Sequence, residues 1–227
     1  MAFVNNTFIF YDIETISANP HRTQPIQLAA VAIHSSRLTI IPNSEFESMI
    51  YAVEDPEECQ RLGLDEIQDE ALAVNNKTRD EIKNAPKIKE VWSQFVDYVN
   101  NYNYTKNDWG SPIPCSFNGN GFDDIIIDRI CGPHGYGLGP WNEKRSKQSL
   151  FHPIYNIDLF KIVFSWFSAT AEPKRLNMDS LRDFFGLSTD KTHDALFDVQ
   201  QGADLLCRFL KLQRSIGQKI NWQNKKG

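Results

Sequence analysis

Asp12 and Glu14 stand two residues apart at the end of an aromatic, β-branched run, Thr7–Ile13 (TFIFYDI). Side chains two apart on a strand point the same way, so both carboxylates can face one cavity. Two hard-oxygen donors on a rigid strand are what Mg²⁺ or Mn²⁺ requires. The pattern has little specificity by itself, because Asp55-Pro56-Glu57 repeats it. That second copy lies in a Pro-containing acidic stretch with no strand before it. It reads better as the solvated start of a helix.

Two further groups carry candidate chemistry. Asn118, Phe122 and Asp123 surround a Gly-rich turn that leads into a helix. An acidic residue is also favoured at a helix amino terminus without any chemical role, so Asp123 has two readings. His193 and Asp198 form the third group; of the five histidines, only His193 has an Asp five residues on. A lone histidine near a helix start is more often structural. Asp198, however, is flanked by Phe197 and Val199. A charge buried there would be costly unless a cation paired with it.

The elements that must position these residues are legible in outline. Thr7–Ile13 predicts a central strand, Ile26–His34 a second and Glu45–Tyr51 a third, joined as an antiparallel meander. Val91, Trp92, Phe95, Val96 and Val99 recur at helical spacing in KEVWSQFVDYVNN, predicting an amphipathic helix. Pro114–Asn118 predicts a fourth strand, followed by a helix from about Asp123 to Cys131. The Gly-, Pro- and basic-rich stretch 132–153 reads as a long mobile loop. Helices are predicted over Leu159–Phe167, over Asp179–Phe185 (capped by Asp179 or Ser180) and from Thr192 onward. The last helix places His193 at or just before its start and Asp198 about one and a half turns inside. The polar, basic end reads as a frayed tail. The chain divides into a domain over 1–212 and a tail over 213–227.

Composition narrows the class. The hydrophobic share is 41% and the charged share 23%, as in ordinary globular domains. Aromatic residues make up 12%, which fills a core first and suits stacking of unpaired bases second. A net charge of −5 argues against coating nucleic acid by bulk electrostatics, though not against handling a strand end where bound cations offset the acidic residues. The four cysteines are scattered, with no zinc spacing, and read as reduced thiols. Neither a signal peptide nor an apolar run of membrane-spanning length is evident, so a soluble, cytoplasmic protein without membrane partners is expected.

Taken in order, the three groups are far more specific than any one. FYDIETISANPHRTQPIQLAAVAI, SFNGNGFDDIII and KTHDALFDVQQGADLL resemble the three motifs of the DEDDh branch of the DnaQ-like 3′→5′ exonucleases, closest to the catalytic domain of the bacterial exonuclease I group. The resemblance runs from about Thr7 to Leu212. It implies an α/β, ribonuclease H-like fold: a mixed central sheet, with an antiparallel meander of three strands plus parallel strands, flanked by helices. It assigns Asp12, Glu14, Asp123 and Asp198 as ligands of two Mg²⁺ ions, with Mn²⁺ a plausible substitute, and His193 as general base. Asp194 stands where the sister DEDDy branch has Tyr, which favours the histidine type. The second motif begins here with Asn118 alone, where the family often has His-Asn. By the same resemblance Thr15, Ile16, Asn118 and Phe122 are substrate contacts, although Phe122 can equally be core and Asn118 structural. Asp158 is either a helix cap or a support for the site, and the cap is preferred.

In the mechanism this implies, two metals about 4 Å apart straddle the terminal phosphodiester. His193 takes a proton from the attacking water, and nucleoside 5′-monophosphates leave stepwise from the 3′ end. The expected partner is a single-stranded 3′ end, DNA favoured and RNA possible. A polymerase or other replication or repair partner is conceivable, and none is named by the sequence. Because the resemblance covers only the catalytic domain, long processive digestion is not expected without an added grip. RNA 3′-end trimming is the alternative activity. A catalytically silent binding module is the alternative of another class, and the intact set of carboxylates and histidine speaks against it.

Overall fold

The computed structural model describes residues 6–188 and 194–220. Its centre is a mixed sheet built from β1 (Phe8–Thr15), β2 (Pro25–His34), β3 (Thr39–Ile40), β4 (Phe46–Met49), β5 (Ile113–Ser116) and β8 (Ile157–Asp158). The order is β3-β2-β1-β5-β8, with β4 also pairing β2. β1 runs antiparallel to β2 and parallel to β5, and β5 runs parallel to β8. This is the ribonuclease H-like arrangement expected from the sequence.

The residues of β1 alternate between two cores, as the pleat requires. Ile9, Tyr11 and Ile13 join a cluster with Trp92 and Phe95 of α4 (Ile88–Asn100) and Ile126, Ile127 and Ile130 of α5 (Asp123–Cys131). Phe8 and Phe10 pack on the opposite face against α6 (Leu159–Phe167), α7 (Met178–Phe185) and α8 (Ala195–Lys219). Asp12 and Glu14 continue that second face. They stand where the apolar contacts of Phe8 and Phe10 give way to a cleft.

How closely α8 lies on this face is set by one residue. A Cβ added at Gly202 would sit 2.6 Å from the Phe10 ring, inside any tolerable contact. Asp198 is one turn before Gly202, and Asp12 is the next residue after Phe10 on the same face of β1. The close crossing therefore brings Asp198 alongside Asp12.

Several expectations need correction. A short strand, β3, precedes β4, and both pair with β2. Two residues are too few to show an alternation that sequence could reveal. Segment 132–153 is not a structureless loop: β6 (Trp141–Asn142) pairs antiparallel with β7 (Lys147–Gln148), and Leu150 and Phe151 are buried. Phe151 stacks on Tyr11 at 5.6 Å between ring centroids. The cap of α7 is Asn177, which accepts from the Ser180 N–H at 2.9 Å. Asp179, expected as cap, binds Arg182 instead.

The start of α8 is capped by Asp194, which accepts from the Phe197 N–H at 3.0 Å, so Asp198 lies in the first turn rather than deeper. The helix runs through Lys219, so residues 213–219, read as tail, are helical. All four cysteines are buried free thiols. Among the described residues, no helix is long and apolar enough to cross a membrane. The remaining helices, α1 (Pro56–Leu62), α2 (Asp69–Val74) and α3 (Arg79–Lys83), fill the connection between β4 and α4.

Candidate active site

Four segments meet at one open cleft of about 370 Å³. Its lining includes Asp12 and Glu14 from β1, Asn118 and Phe122 from the turn after β5, Asp123 from α5, Asp179 and Arg182 from α7, and Asp198 from α8. The cleft lies beyond the carboxyl ends of the parallel strands β1 and β5, where open α/β sheets place their ligands. A larger cavity, about 740 Å³, lies by α1 and residues 64–70. Its lining includes Pro56 and Glu57 of the second Asp-x-Glu pattern but neither Asp12, Glu14, Asp123 nor Asp198, and the chemistry argues for the smaller cleft.

Asp123 and the turn beside it are held by local hydrogen bonds. Asp123 is buried, and its Oδ1 accepts from the Ile13 N–H at 3.2 Å, which joins the start of α5 to the carboxyl end of β1. Asn118 adopts a left-handed conformation (φ 61°), a shape that Asn tolerates better than most residues. Its N–H donates to Asp158 Oδ1 at 2.9 Å, and the same oxygen accepts from the Phe160 N–H at 3.0 Å. Asp158 thus caps α6 and also fixes the turn that carries Asn118. Both of its readings are realised in one contact set.

The cleft is electrostatically strained. Burial, followed by the proximity of Asp198, pushes the Asp12 carboxyl up to about 7, with Arg182 opposing the rise. Burial and then the charges of Asp12 and Asp198 push Glu14 up to about 8, with Lys77 opposing. Burial, Asp12 and Asp124 hold Asp123 well above the usual carboxylate range, against the pull of its backbone hydrogen bonds. Crowded, desolvated carboxylates disfavour one another's ionised forms, and a cation among them reverses that preference. The donor set therefore fits a hard divalent ion: oxygen ligands, excess negative charge and an open face. Among the described residues, however, no group of three His, Cys, Asp or Glu side chains is already closed around one metal position.

Arg182 was not among the expected site residues. Its side chain is 1% exposed. Its Nη2 donates to Asp198 Oδ1 at 2.5 Å, its Nη1 to Asp179 Oδ1 at 2.7 Å and its Nε to Gln201 Oε1 at 2.7 Å. The sequence held a signal for it: Met178, Leu181, Arg182 and Phe185 share one helical stripe, so an arginine interrupts an otherwise apolar face.

Two of the expected substrate contacts sit differently from the rest. The Ile16 side chain is fully buried with Ile26, Ala52 and Leu72, and the Thr15 hydroxyl donates to the Ser17 carbonyl at 2.9 Å. Neither lines the cleft, whereas Asn118 and Phe122 do. His193 lies outside the described residues. The second Asp-x-Glu pattern is a helix start, as expected: Asp55 accepts from the Glu57 N–H at 3.3 Å, with Pro56 opening α1.

Comparison with known proteins agrees with this architecture. Residues 9–108 match the RNase T-type exonuclease family model, a span that includes Asp12 and Glu14. No curated protein matches the sequence. Among solved structures, Escherichia coli exonuclease I in complex with a dT13 oligonucleotide is similar with a TM-score of 0.67 at 17% identity, over 94% of this chain and 42% of that one. Exonuclease I from Methylocaldum szegediense gives 0.67 at 15% identity, over 92% and 41%. Cell-death related nuclease 4 gives 0.63 at 17% identity, over 91% and 64%. The chain thus spans about two fifths of the length of the exonuclease I chains it matches. The match over residues 9–108 likens this chain to that exonuclease family, and the exonuclease I structures share its fold.

Proposed function

We infer that the cleft hydrolyses the terminal phosphodiester of a single-stranded nucleic acid, DNA in the first place, from its 3′ end, releasing nucleoside 5′-monophosphates. The observation that carries this reading is the convergence of Asp12, Glu14, Asp123 and Asp198, from three separate parts of the chain, on one open cleft. Two divalent cations held by these four carboxylates, Mg²⁺ or Mn²⁺, would supply charge neutralisation and an activated water at the scissile phosphate.

The chain's own residues do the positioning. β1 presents Asp12 and Glu14 from a rigid strand, and the Ile13–Asp123 bond holds the third carboxylate against it. Gly202 lets α8 approach closely enough for Asp198 to join them. Asn118 and Phe122 edge the cleft on the α5 side and would orient the terminal nucleotide, Phe122 offering a ring face for a base. His193, five residues before Asp198, is assigned the proton from the attacking water and identifies the DEDDh branch. The similarity to exonuclease I bound to an oligonucleotide supports a single-stranded DNA substrate, and RNA is the competing one.

The test is a digestion panel with matched, 5′-labelled single-stranded DNA and RNA, with Mg²⁺, Mn²⁺ or chelator. The expected result is metal-dependent shortening from the 3′ end, with 5′-mononucleotides as products and DNA digested faster. Equal or faster digestion of RNA would overturn the DNA assignment. No digestion of either would overturn the enzymatic reading in favour of a silent binding module.

A further inference from the structure

The one cationic side chain that lines the cleft among the described residues is Arg182, and it is buried rather than reaching for solvent. A guanidinium at 1% exposure must find partners for its donors, and Arg182 does so on both helices that flank the cleft. Asp179 on its own helix takes Nη1, while Gln201 and Asp198 on α8 take Nε and Nη2. The shortest of these contacts, 2.5 Å, falls on the carboxylate that the metal reading also requires. Asp198 is thereby drawn toward α7.

We propose that Arg182 is a built-in counter-cation for the metal-free carboxylates, and that a divalent ion must compete with it for Asp198. This rests on the metal-binding reading of the cleft and deepens it. Without metal, four acidic groups crowd the site, and one fixed positive charge relieves part of their repulsion. On loading, the same charge repels the incoming ion and withholds electron density from one of its ligands. The predicted consequence is a site whose metal affinity is set low by its own arginine. It would fill at the abundance of Mg²⁺ and resist scavenging trace ions. Gln201 and Asp179 serve to keep the guanidinium in place when Asp198 turns to the metal.

The test is Mn²⁺ binding to the full chain, measured by titration calorimetry and by the loss of the free-ion paramagnetic resonance signal. Wild type is compared with Arg182→Gln and Arg182→Lys. Removing the charge should tighten Mn²⁺ binding by about tenfold or more, while Arg182→Lys, which keeps it, should stay close to wild type. Thermal denaturation in chelator should show Arg182→Gln less stable than wild type, with a larger gain on adding Mn²⁺. Should Arg182→Gln fold too poorly to titrate, Arg182→Met, which removes the same charge with an apolar chain, carries the same expectation. Unchanged or weaker Mn²⁺ binding in the charge-removing variants would overturn the counter-cation role and leave the metal site standing. Absence of Mn²⁺ binding in wild type and variants alike would overturn the metal reading itself.

Discussion

The chain writes Asp-x-Glu twice, and the two copies have different fates. Asp12 and Glu14 lie on a central strand whose register is fixed by pairing with Ala29 and Gln27 of β2. Protein surrounds them on the face shared with α7 and α8, and their carboxyls are pushed up to about 7 and about 8. Asp55 and Glu57 flank a proline at the exposed start of α1, where Asp55 caps a backbone N–H. The same residue types thus act as a charge cluster in need of a cation in one place and as a helix-start signal in the other. What separates them is desolvation and the approach of an acid from a distant part of the chain, Asp198, and neither is a property of the motif.

The sharpest way to break this comparison is to remove one carboxylate from each copy. Asp12→Ala should lower metal-dependent digestion by roughly 10²–10³-fold or more, as expected when a group stabilising developing charge is lost. Asp55→Ala should leave the digestion rate unchanged and cost about 1 kcal/mol of stability through its lost cap, read by urea denaturation. Comparable losses of activity in the two variants would mean that the strand copy has no special standing.

A second, smaller effect tests the geometry that brings Asp198 to the strand copy. Gly202→Ala places a methyl group against the Phe10 ring, where the gap is 2.6 Å. Overpacking of this kind costs about 1–3 kcal/mol. The variant should lose stability and digestion rate together, because α8 moves away from β1. Full activity in Gly202→Ala would show that the close crossing is not needed.

Acidity separates the two copies without mutation. The raised carboxyls of Asp12 and Glu14 hold protons in the folded state that the unfolded chain releases near its ordinary range of about 4. Their contribution to stability is therefore fully present below about pH 4 and is lost as pH rises through about 7 to about 8. In chelator, the melting temperature should fall by several °C as pH is raised across that range. Mg²⁺ or Mn²⁺ should restore progressively more of it, because ionised carboxylates bind metal. Asp12→Asn should flatten the dependence, and Glu57→Gln should not.

The smallest effect concerns support rather than ligands. Asp158→Ala removes the acceptor that caps α6 and holds the Asn118 turn. A loss of about 1–2 kcal/mol is expected in urea denaturation, with a weaker hold on the substrate's terminal nucleotide seen as a raised KM.

Much of this arrangement could be read from the sequence, for physical reasons that also explain the gaps. α4, α5 and α6 were legible because each buries one face and so imprints its period on the chain, and β1 and β2 because burial on both faces leaves a continuous apolar, β-branched run. Asp198 stood out as a candidate because its spacing from His193 is unique in the chain and its flanks are apolar, whereas Asp123 stood out only through the resemblance of its motif. The strands β3, β6 and β7 are two residues long, too short to carry a period. Phe151 fills the core beside Tyr11 through a contact far apart in sequence, so a Gly- and Pro-rich stretch concealed a packed element. Arg182 interrupts an apolar stripe of α7, but its partners Asp198 and Gln201 lie on α8, a helix-to-helix contact that carries no sequence pattern. Ile16 followed the family motif, and its side chain turned out to serve a small core instead.

The most direct measurement is the fate of a 5′-labelled single-stranded DNA oligonucleotide, resolved at single-nucleotide length, with Mg²⁺ and with chelator. A ladder that shortens from the 3′ end is expected, with nucleoside 5′-monophosphates as the only small products. No cleavage is expected in chelator or with Asp12→Ala. An oligonucleotide left intact by metal-loaded wild type, or digestion that persists undiminished in Asp12→Ala, would contradict a metal-dependent 3′→5′ exonuclease site at this cleft.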